Sequence, residues 1–270
     1  MRIASLSRAA ECSPPASAAR ALVLAAGQGT RMNSDLAKVL HPMAGRPLLR
    51  YVLDALGALE VERTLVVIGH QRERVRAAFS DLGIEWVEQV EQRGTGHAVM
   101  MAAEALEGFR GTLLVVCGDT PLLTPAPLHA LLDGHAKSGA AVTVLSMRVP
   151  DPRGYGRIVR GTAESIRAIV EERDATPEQR NLDEVNSGVY AFDWPRLKAV
   201  LSGLRAHNAQ GEYYLTDAVD ALRREGHATA VVRARDHREL LGINTPAQLA
   251  EAERAWSVLR LGHEGGGERH

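Results

Sequence analysis

The sequence predicts an α/β fold, a mostly parallel sheet flanked by helices. Short, largely apolar runs recur along the chain: Ala21 to Leu24, Arg63 to Ile68 (RTLVVI) and Thr112 to Cys117 (TLLVVC). A strand that is apolar on both faces has to be covered on both faces, which is the condition of a parallel sheet between helices. Segments of helical character separate the runs. The loops that follow the strands hold Gly27, Gly94 and Asp119. Right-handed crossovers bring such loops to one rim, where ligands bind in open α/β sheets.

Taken in order, the chain opens with an Ala- and Ser-rich stretch, residues 1–19, that contains Pro14-Pro15. Arg8 and Glu11 break its apolar residues, so it lacks the run of about 7–15 apolar residues that a signal peptide needs. It reads as a disordered extension; its Arg and Ser content would suit a transit segment, and Glu11 counts against one. The strand Ala21 to Leu24 then runs directly into a glycine loop. Pro47 to Leu59 reads as a helix, Arg63 to Ile68 as a strand, and Arg72 to Leu82 as a helix with many arginines on its surface. Ile84 to Glu88 is a short strand, Gly96 to Leu106 an Ala- and Met-rich helix, and Thr112 to Cys117 a buried strand. Pro125 to Lys137 (helix) and Ala141 to Arg148 (strand) complete the regular alternation. Gly154 to Ile158 and Ile166 to Glu171 alternate polar with apolar residues, which predicts a small antiparallel addition over the substrate rim. Ser187 to Phe192 resumes a core strand, followed by a helix (Tyr214 to Arg224), a strand (Thr229 to Arg233) and a last helix (Pro246 to Leu261) with proline near its start. The expected organisation is an extension over 1–19, one domain over 20–249, and a helix end with a glycine tail (Gly265 to Gly267) over 250–270.

Composition excludes several classes of function. With 270 residues and 45% apolar content the chain can bury a sizeable core. A formal net charge of −1 offers no general field for nucleic acid or for an anionic membrane, and no apolar run has transmembrane length. The two cysteines, Cys12 and Cys117, make neither a metal pattern nor a disulfide framework, which favours a reducing cytoplasm. None of the ten histidines falls in a ligand-spaced pair; His41, His70 and His97 read as ordinary polar or core residues.

The chemistry concentrates in LAAGQGTRMNSDLAK, Leu24 to Lys38. Gly27 and Gly29 let backbone N–H groups approach an anion, although a bare Gly-x-Gly serves a tight turn equally well. Arg31 and Lys38 shift the reading towards phosphate, because a planar fork and a mobile point charge supply what glycines lack. The segment is neither a Walker A nor a GxGxxG fingerprint, since Met32 stands at the third glycine. Asp119, in Cys117-Gly118-Asp119-Thr120-Pro121, is delivered to the rim by a buried strand; it could hold a hard cation or simply form the turn. Asn244 could cap the helix beginning at Pro246, Thr95 the helix beginning at Gly96, and Gln89 could be a surface residue.

LAAGQGTRM followed by SDLAKVLHPMAGRPLL resembles the signature of sugar-nucleotide pyrophosphorylases, above all the uridylyltransferase half of bifunctional UDP-N-acetylglucosamine pyrophosphorylase/glucosamine-1-phosphate acetyltransferase. The resemblance extends from about Ala21 to about Leu249. It implies a Rossmann-like fold of the nucleotide-diphospho-sugar transferase type, and transfer of uridylyl from UTP to N-acetyl-α-D-glucosamine 1-phosphate with Mg²⁺ as cofactor. Residue by residue, it implies Arg31 and Lys38 as catalytic cations. Leu24, Ala25, Ala26 and Gly27 would cradle the nucleotide with Cys117 and Gly118, while Gln89, Gly94 and Thr95 would contact uracil. Gly156, Glu171 and Asn186 would hold the sugar, and Asp119 and Asn244 the metal. The segment Gln210 to Asp217 is shared with the family and reads as support near the sugar site. Gln28 stands where Lys or Arg is usual and Ala37 where Pro is usual, which would loosen the grip on pyrophosphate. No hexapeptide repeat follows, so neither acetyl transfer nor trimerisation through a β-helix is expected, and a separate acetyltransferase is a candidate partner. The alternatives are a nucleotidyltransferase for another sugar phosphate and a non-catalytic regulatory subunit that binds sugar nucleotides.

Overall fold

The computed structural model describes residues 18–161 and 165–264. Most of the expected extension and the glycine tail lie outside the described residues. Strands β1 (Ala19–Ala25), β2 (Pro42–Met43) and β3 (Arg46–Pro47) lead to helix α1 (Leu48–Gly57), then β4 (Arg63–Ile68), α2 (Arg72–Ala78), β5 (Glu85–Glu88) and α3 (Thr95–Met101). There follow β6 (Thr112–Cys117), α4 (Pro125–Ser138), β7 (Val142–Arg148), β8 (Arg157–Arg160), β9 (Ile166–Val170), α5 (Pro177–Arg180) and β10 (Glu184–Asp193). The chain ends with α6 (Trp194–Leu201), α7 (Thr216–Arg224), β11 (Thr229–Arg233) and α8 (Pro246–Glu264).

The main sheet has the order β11-β7-β10-β6-β1-β4-β5, and along this path only β10 runs against its neighbours. The β8-β9 hairpin joins β10 as the expected antiparallel addition, and β2 pairs with β3 in a separate two-stranded ribbon. Alternate residues of the central strands enter different cores. Leu22, Leu65, Val67, Leu113 and Val115 pack on one face with α3, α6 and α7. Ala21, Val23, Val66, Leu114 and Val116 pack on the other with α1 and α4. The sheet is thus buried on both sides, which is why its strands read as continuous apolar runs.

Strand β4 lies on one side of β1 and β6 on the other, so the chain leaves β1 in one direction and returns past it in the opposite one. At such a reversal the loops beyond the carboxyl ends of the strands diverge and open a crevice. Here Leu24 pairs with Cys117 in register, and the Gly118 N–H donates to the Leu24 carbonyl at 3.0 Å. The glycine loop and the Cys-Gly-Asp turn therefore begin side by side. A third core under α8 joins Met32, Met43, Leu48, Leu122 and Ile243, and fixes the base of both loops.

Candidate active site

Beyond β1 the chain turns through Gly29, whose φ of +69° belongs to the left-handed region that favours glycine. Any Cβ at Gly29 would lie 2.6 Å from the Lys38 Cβ. The lysine stem lies directly across the loop, and only a hydrogen at that position leaves room for it. A Cβ at Gly27, by contrast, would meet nothing within 4 Å, so that part of the loop faces open space.

Lys38 ends at the centre of a charged cluster. Its ammonium forms an ion pair with the Asp119 carboxylate and donates to Asn244 Oδ1 at 2.7 Å. Arg31 Nη2 donates to the same Asn244 oxygen at 2.9 Å. Asp119 and Asn244 are brought together by a backbone bond, the Ile243 N–H donating to the Asp119 carbonyl at 2.8 Å. The alternatives left open by sequence now separate. Thr245, not Asn244, caps α8, because its Oγ1 accepts from the Gln248 N–H at 3.2 Å. Thr120 closes the turn after β6 through its bond to the Cys117 carbonyl at 2.9 Å, which leaves the Asp119 side chain to the cluster.

One carboxylate oxygen and one amide oxygen thus converge on the Lys38 ammonium. That donor set fits Mg²⁺, which takes one or two carboxylates from the protein and completes its shell with water and substrate phosphates. It does not resemble a self-sufficient metal cage: among the described residues no group of three His, Cys, Asp or Glu side chains is placed to hold a metal.

A cavity of about 440 Å³ opens from this cluster along the rim. Leu24 to Gly29 form one wall, Lys38, Cys117 and Asp119 the charged end, and Gln89, Gly94 and Thr95 the far end. Gln89 is buried, and both protons of its Nε2 are committed: one to the Gly94 carbonyl at 3.0 Å, one to His97 Nδ1 at 3.0 Å. Burial and the nearby Arg93 lower the His97 pKa, which favours the neutral ring that accepts this bond. Gln89 Oε1 therefore remains an acceptor beside the cavity. Thr95 does not cap its helix; its Oγ1 accepts from the Leu215 N–H at 3.0 Å. The Gly96 N–H donates to the Tyr213 carbonyl at 2.7 Å, and the Tyr213 N–H to the Arg93 carbonyl at 2.8 Å. A Cβ at Gly94 would strike that Tyr213 oxygen at 2.6 Å, so the close approach requires glycine. The segment around Tyr213 thus braces the far end of the cavity.

Gly156, Glu171 and Asn186 come together beside it. A second depression, lined by Arg31, Gly154, Glu171 and Gln210, shares Thr30 and Glu212 with the first. Gly156 abuts the Glu171 carboxylate, and its carbonyl accepts from the Asn186 N–H at 2.8 Å. Thr216 Oγ1 donates to Glu171 Oε1 at 3.2 Å, and burial pushes the Glu171 carboxyl above its usual range. Asn186 faces inward: its Nδ2 donates to Tyr190 Oη at 2.6 Å and its Oδ1 accepts from the Gly188 N–H at 3.1 Å. Burial also raises the Cys117 thiol to about 12, which keeps it neutral and unreactive. Sequence reasoning did not single out Thr30, Val39, Gln92 and Ala98, which also line the cavity; their only signal was adjacency to the motifs.

The profile of the MobA-like NTP transferase domain matches residues 21–187. The bifunctional protein GlmU of Thermobifida fusca (strain YX) is 52% identical over 242 residues, covering 87% of this chain and 50% of that protein. The bifunctional protein GlmU of Streptomyces griseus is 51% identical, covering 88% of this chain and 50% of its own length. The chain therefore spans about half the length of the curated relatives it matches. Among solved structures, UDP-glucose pyrophosphorylase complexed with UDP-glucose superposes with a TM-score of 0.71 at 20% identity, covering 89% of this chain and 98% of that one, a likeness of fold.

Proposed function

Because this chain belongs to the MobA-like NTP transferase family, we propose that it transfers uridylyl from UTP to N-acetyl-α-D-glucosamine 1-phosphate, releasing pyrophosphate and forming UDP-N-acetylglucosamine. The convergence of Arg31, Lys38, Asp119 and Asn244 at one end of the cavity carries this reading. The unspent acceptor on Gln89 supports the choice of nucleotide. Glu171, beside the cluster and short of donors, supports a hydroxyl-rich acceptor.

A sugar phosphate has its second pKa near 6, so at pH 7 it is largely dianionic and attacks without a general base. One of its oxygens forms a bond to the α-phosphorus of UTP while the bond to the bridging oxygen breaks in line, and the electron pair leaves with pyrophosphate. The protein has to position these groups and neutralise charge. Arg31, exposed to solvent, would hold the departing pyrophosphate. Lys38 would bridge donor and acceptor phosphates, giving up its ion pair with Asp119 as it does so. Asp119 and Asn244 would hold Mg²⁺, which supplies charge neutralisation and orients the triphosphate when bound. The glycine loop would donate backbone N–H groups to phosphate oxygens.

No helix among the described residues is long and apolar enough to cross a membrane. A reducing cytoplasm suits the sparse cysteines and a substrate such as UTP. The reading is tested by incubating the protein with UTP, N-acetylglucosamine 1-phosphate and MgCl₂. Formation of UDP-N-acetylglucosamine, reversed by added pyrophosphate and abolished by chelation, is expected; a protein that binds the sugar nucleotide without turning over refutes it.

A further inference from the structure

The loop after β4 touches all three parts of the nucleotide site. The His70 N–H donates to the Ala26 carbonyl of the glycine loop at 3.3 Å. A Cβ at Gly69 would press on the Ala26 carbonyl at 2.9 Å and on the Gln89 carbonyl at 2.8 Å, so the loop is packed tightly between the phosphate and base segments. Gln71 then adopts a left-handed backbone, with φ 50° and ψ 37°, rare for a residue with a long side chain. Strain of this kind persists only where surrounding contacts over-determine it.

Those contacts lead to Lys38. Gln71 Oε1 accepts from the Ala37 N–H at 3.1 Å, while Gln71 Nε2 donates to the Asp35 carbonyl. The side-chain amide pairs with the main chain of residues 35–37 as a neighbouring strand would. Arg74 Nη1 donates to the same Oε1 at 3.2 Å, which helps fix the amide's orientation. Lys38 follows immediately and opens a single 3₁₀ turn, Lys38–Leu40, that has no side-chain cap. Ala37 itself is buried, with φ −52° and ψ 133°.

We infer that Gln71 is a positioning residue for Lys38: its amide clamps the main chain of residues 35–37 so that the ammonium is delivered to the phosphate end of the cavity. The inference rests on the reading of Lys38 as a charge-neutralising cation. It also bears on Ala37, because the N–H that the clamp uses is one that proline would lack. Without that ring, the segment's geometry is held from outside by Gln71. The φ of Ala37 lies within the range a proline ring imposes, so proline there, once the Gln71 amide that would meet its ring is removed, would supply the restraint from inside the chain.

The test is a double-variant cycle with Gln71→Gly and Ala37→Pro, reading kcat, the KM for UTP and Tm. Glycine accepts the left-handed backbone, so Gln71→Gly removes the amide without adding strain, and Tm reads the accompanying change in backbone freedom. A misplacement of about 1 Å in a reacting group costs on the order of 100-fold. Gln71→Gly is expected to lower kcat by roughly 10- to 100-fold, with KM for UTP nearly unchanged because Lys38 acts mainly on developing charge. In the Ala37→Pro background the same Gln71→Gly change should lower kcat by no more than about twofold, since additivity fails where two devices serve one end. A wild-type kcat in Gln71→Gly, an equal loss in both backgrounds, or a loss of activity that follows a fall in Tm would each overturn the inference. Wild-type turnover is the control: its absence refutes the functional reading, whereas turnover with an unaffected Gln71→Gly refutes the clamp alone.

Discussion

Lys38→Ala separates two roles that one ammonium combines. In the resting site the ammonium occupies the oxygens of Asp119 and Asn244 that would receive Mg²⁺, so metal binding has to displace it. The two side chains of the ion pair are 16% and 18% exposed, between the surface case, where a pair is worth about 0–1 kcal/mol, and the buried case, where losing one partner costs about 3–5 kcal/mol. Freeing Asp119 from its competitor should therefore be worth about 1–2 kcal/mol to an incoming cation, roughly a 5- to 30-fold tighter Mg²⁺ Kd in the absence of nucleotide. Arg31 still holds Asn244 at 2.9 Å, so the gain falls on the carboxylate side. Turnover should move the opposite way. Loss of one preorganised charge-stabilising group typically lowers kcat by about 100- to 1,000-fold. Isothermal titration with MgCl₂ and a pyrophosphate-release assay at saturating substrates measure the two effects. Unchanged or weaker Mg²⁺ binding, or near-wild-type pyrophosphate release, would refute the reasoning.

Other substitutions test the remaining parts of the site. Gly29→Ala puts a methyl 2.6 Å from the Lys38 Cβ and forces alanine into the left-handed region; we expect a stability loss of about 1–3 kcal/mol and more than a tenfold fall in kcat, read by thermal melts and steady-state kinetics. Glu171→Gln should raise the KM for the sugar phosphate while raising stability at neutral pH. Burial raises the Glu171 pKa, so the stabilising protonated form is complete below the ordinary carboxylate range and is lost as pH climbs through the raised value. The Tm advantage of Glu171→Gln over wild type should grow from pH 4 to pH 8, and an advantage that shrinks over that range would contradict this account. Gln89→Ala should cut discrimination between UTP and CTP in kcat/KM by roughly 10- to 100-fold, the scale of one buried hydrogen bond of about 1–3 kcal/mol, as measured with competing nucleotides.

How far the sequence could be read depended on whether the decisive interaction was local. Strands β4, β6 and β11 begin and end where the sequence pattern placed them, because an apolar run forms the centre of each and polar residues or glycine bound it. Strand β10 begins at Glu184, three residues before the expected Ser187, because Glu184 and Asn186 are buried with their polar atoms paired: Glu184 with Ser146 of β7 and Arg160 of β8, Asn186 with Tyr190 further along β10 itself. Helix α6 went unpredicted although Asp193 caps it and Pro195 follows, both local signals. The ribbon β2-β3 is too short to leave a pattern. In the site, the glycine loop, Lys38 and Asp119 stood out from motif order. Asn244 and Thr95 could not be told from caps, because their true partners lie 206 and 120 residues away. Gln71 left no trace at all: a left-handed glutamine whose amide reaches back to residues 35–37 is a property of tertiary packing.

The central claim is that cations and oxygen ligands gathered at one end of the rim neutralise a triphosphate under attack by a sugar phosphate. Pyrophosphate release measured across a grid of nucleoside triphosphates and sugar 1-phosphates, with and without MgCl₂, tests it most directly. The account predicts fast, Mg²⁺-dependent release for UTP with N-acetylglucosamine 1-phosphate and release at least tenfold slower for every other pair. Release that is absent throughout, independent of Mg²⁺, or fastest with a different pair would contradict it.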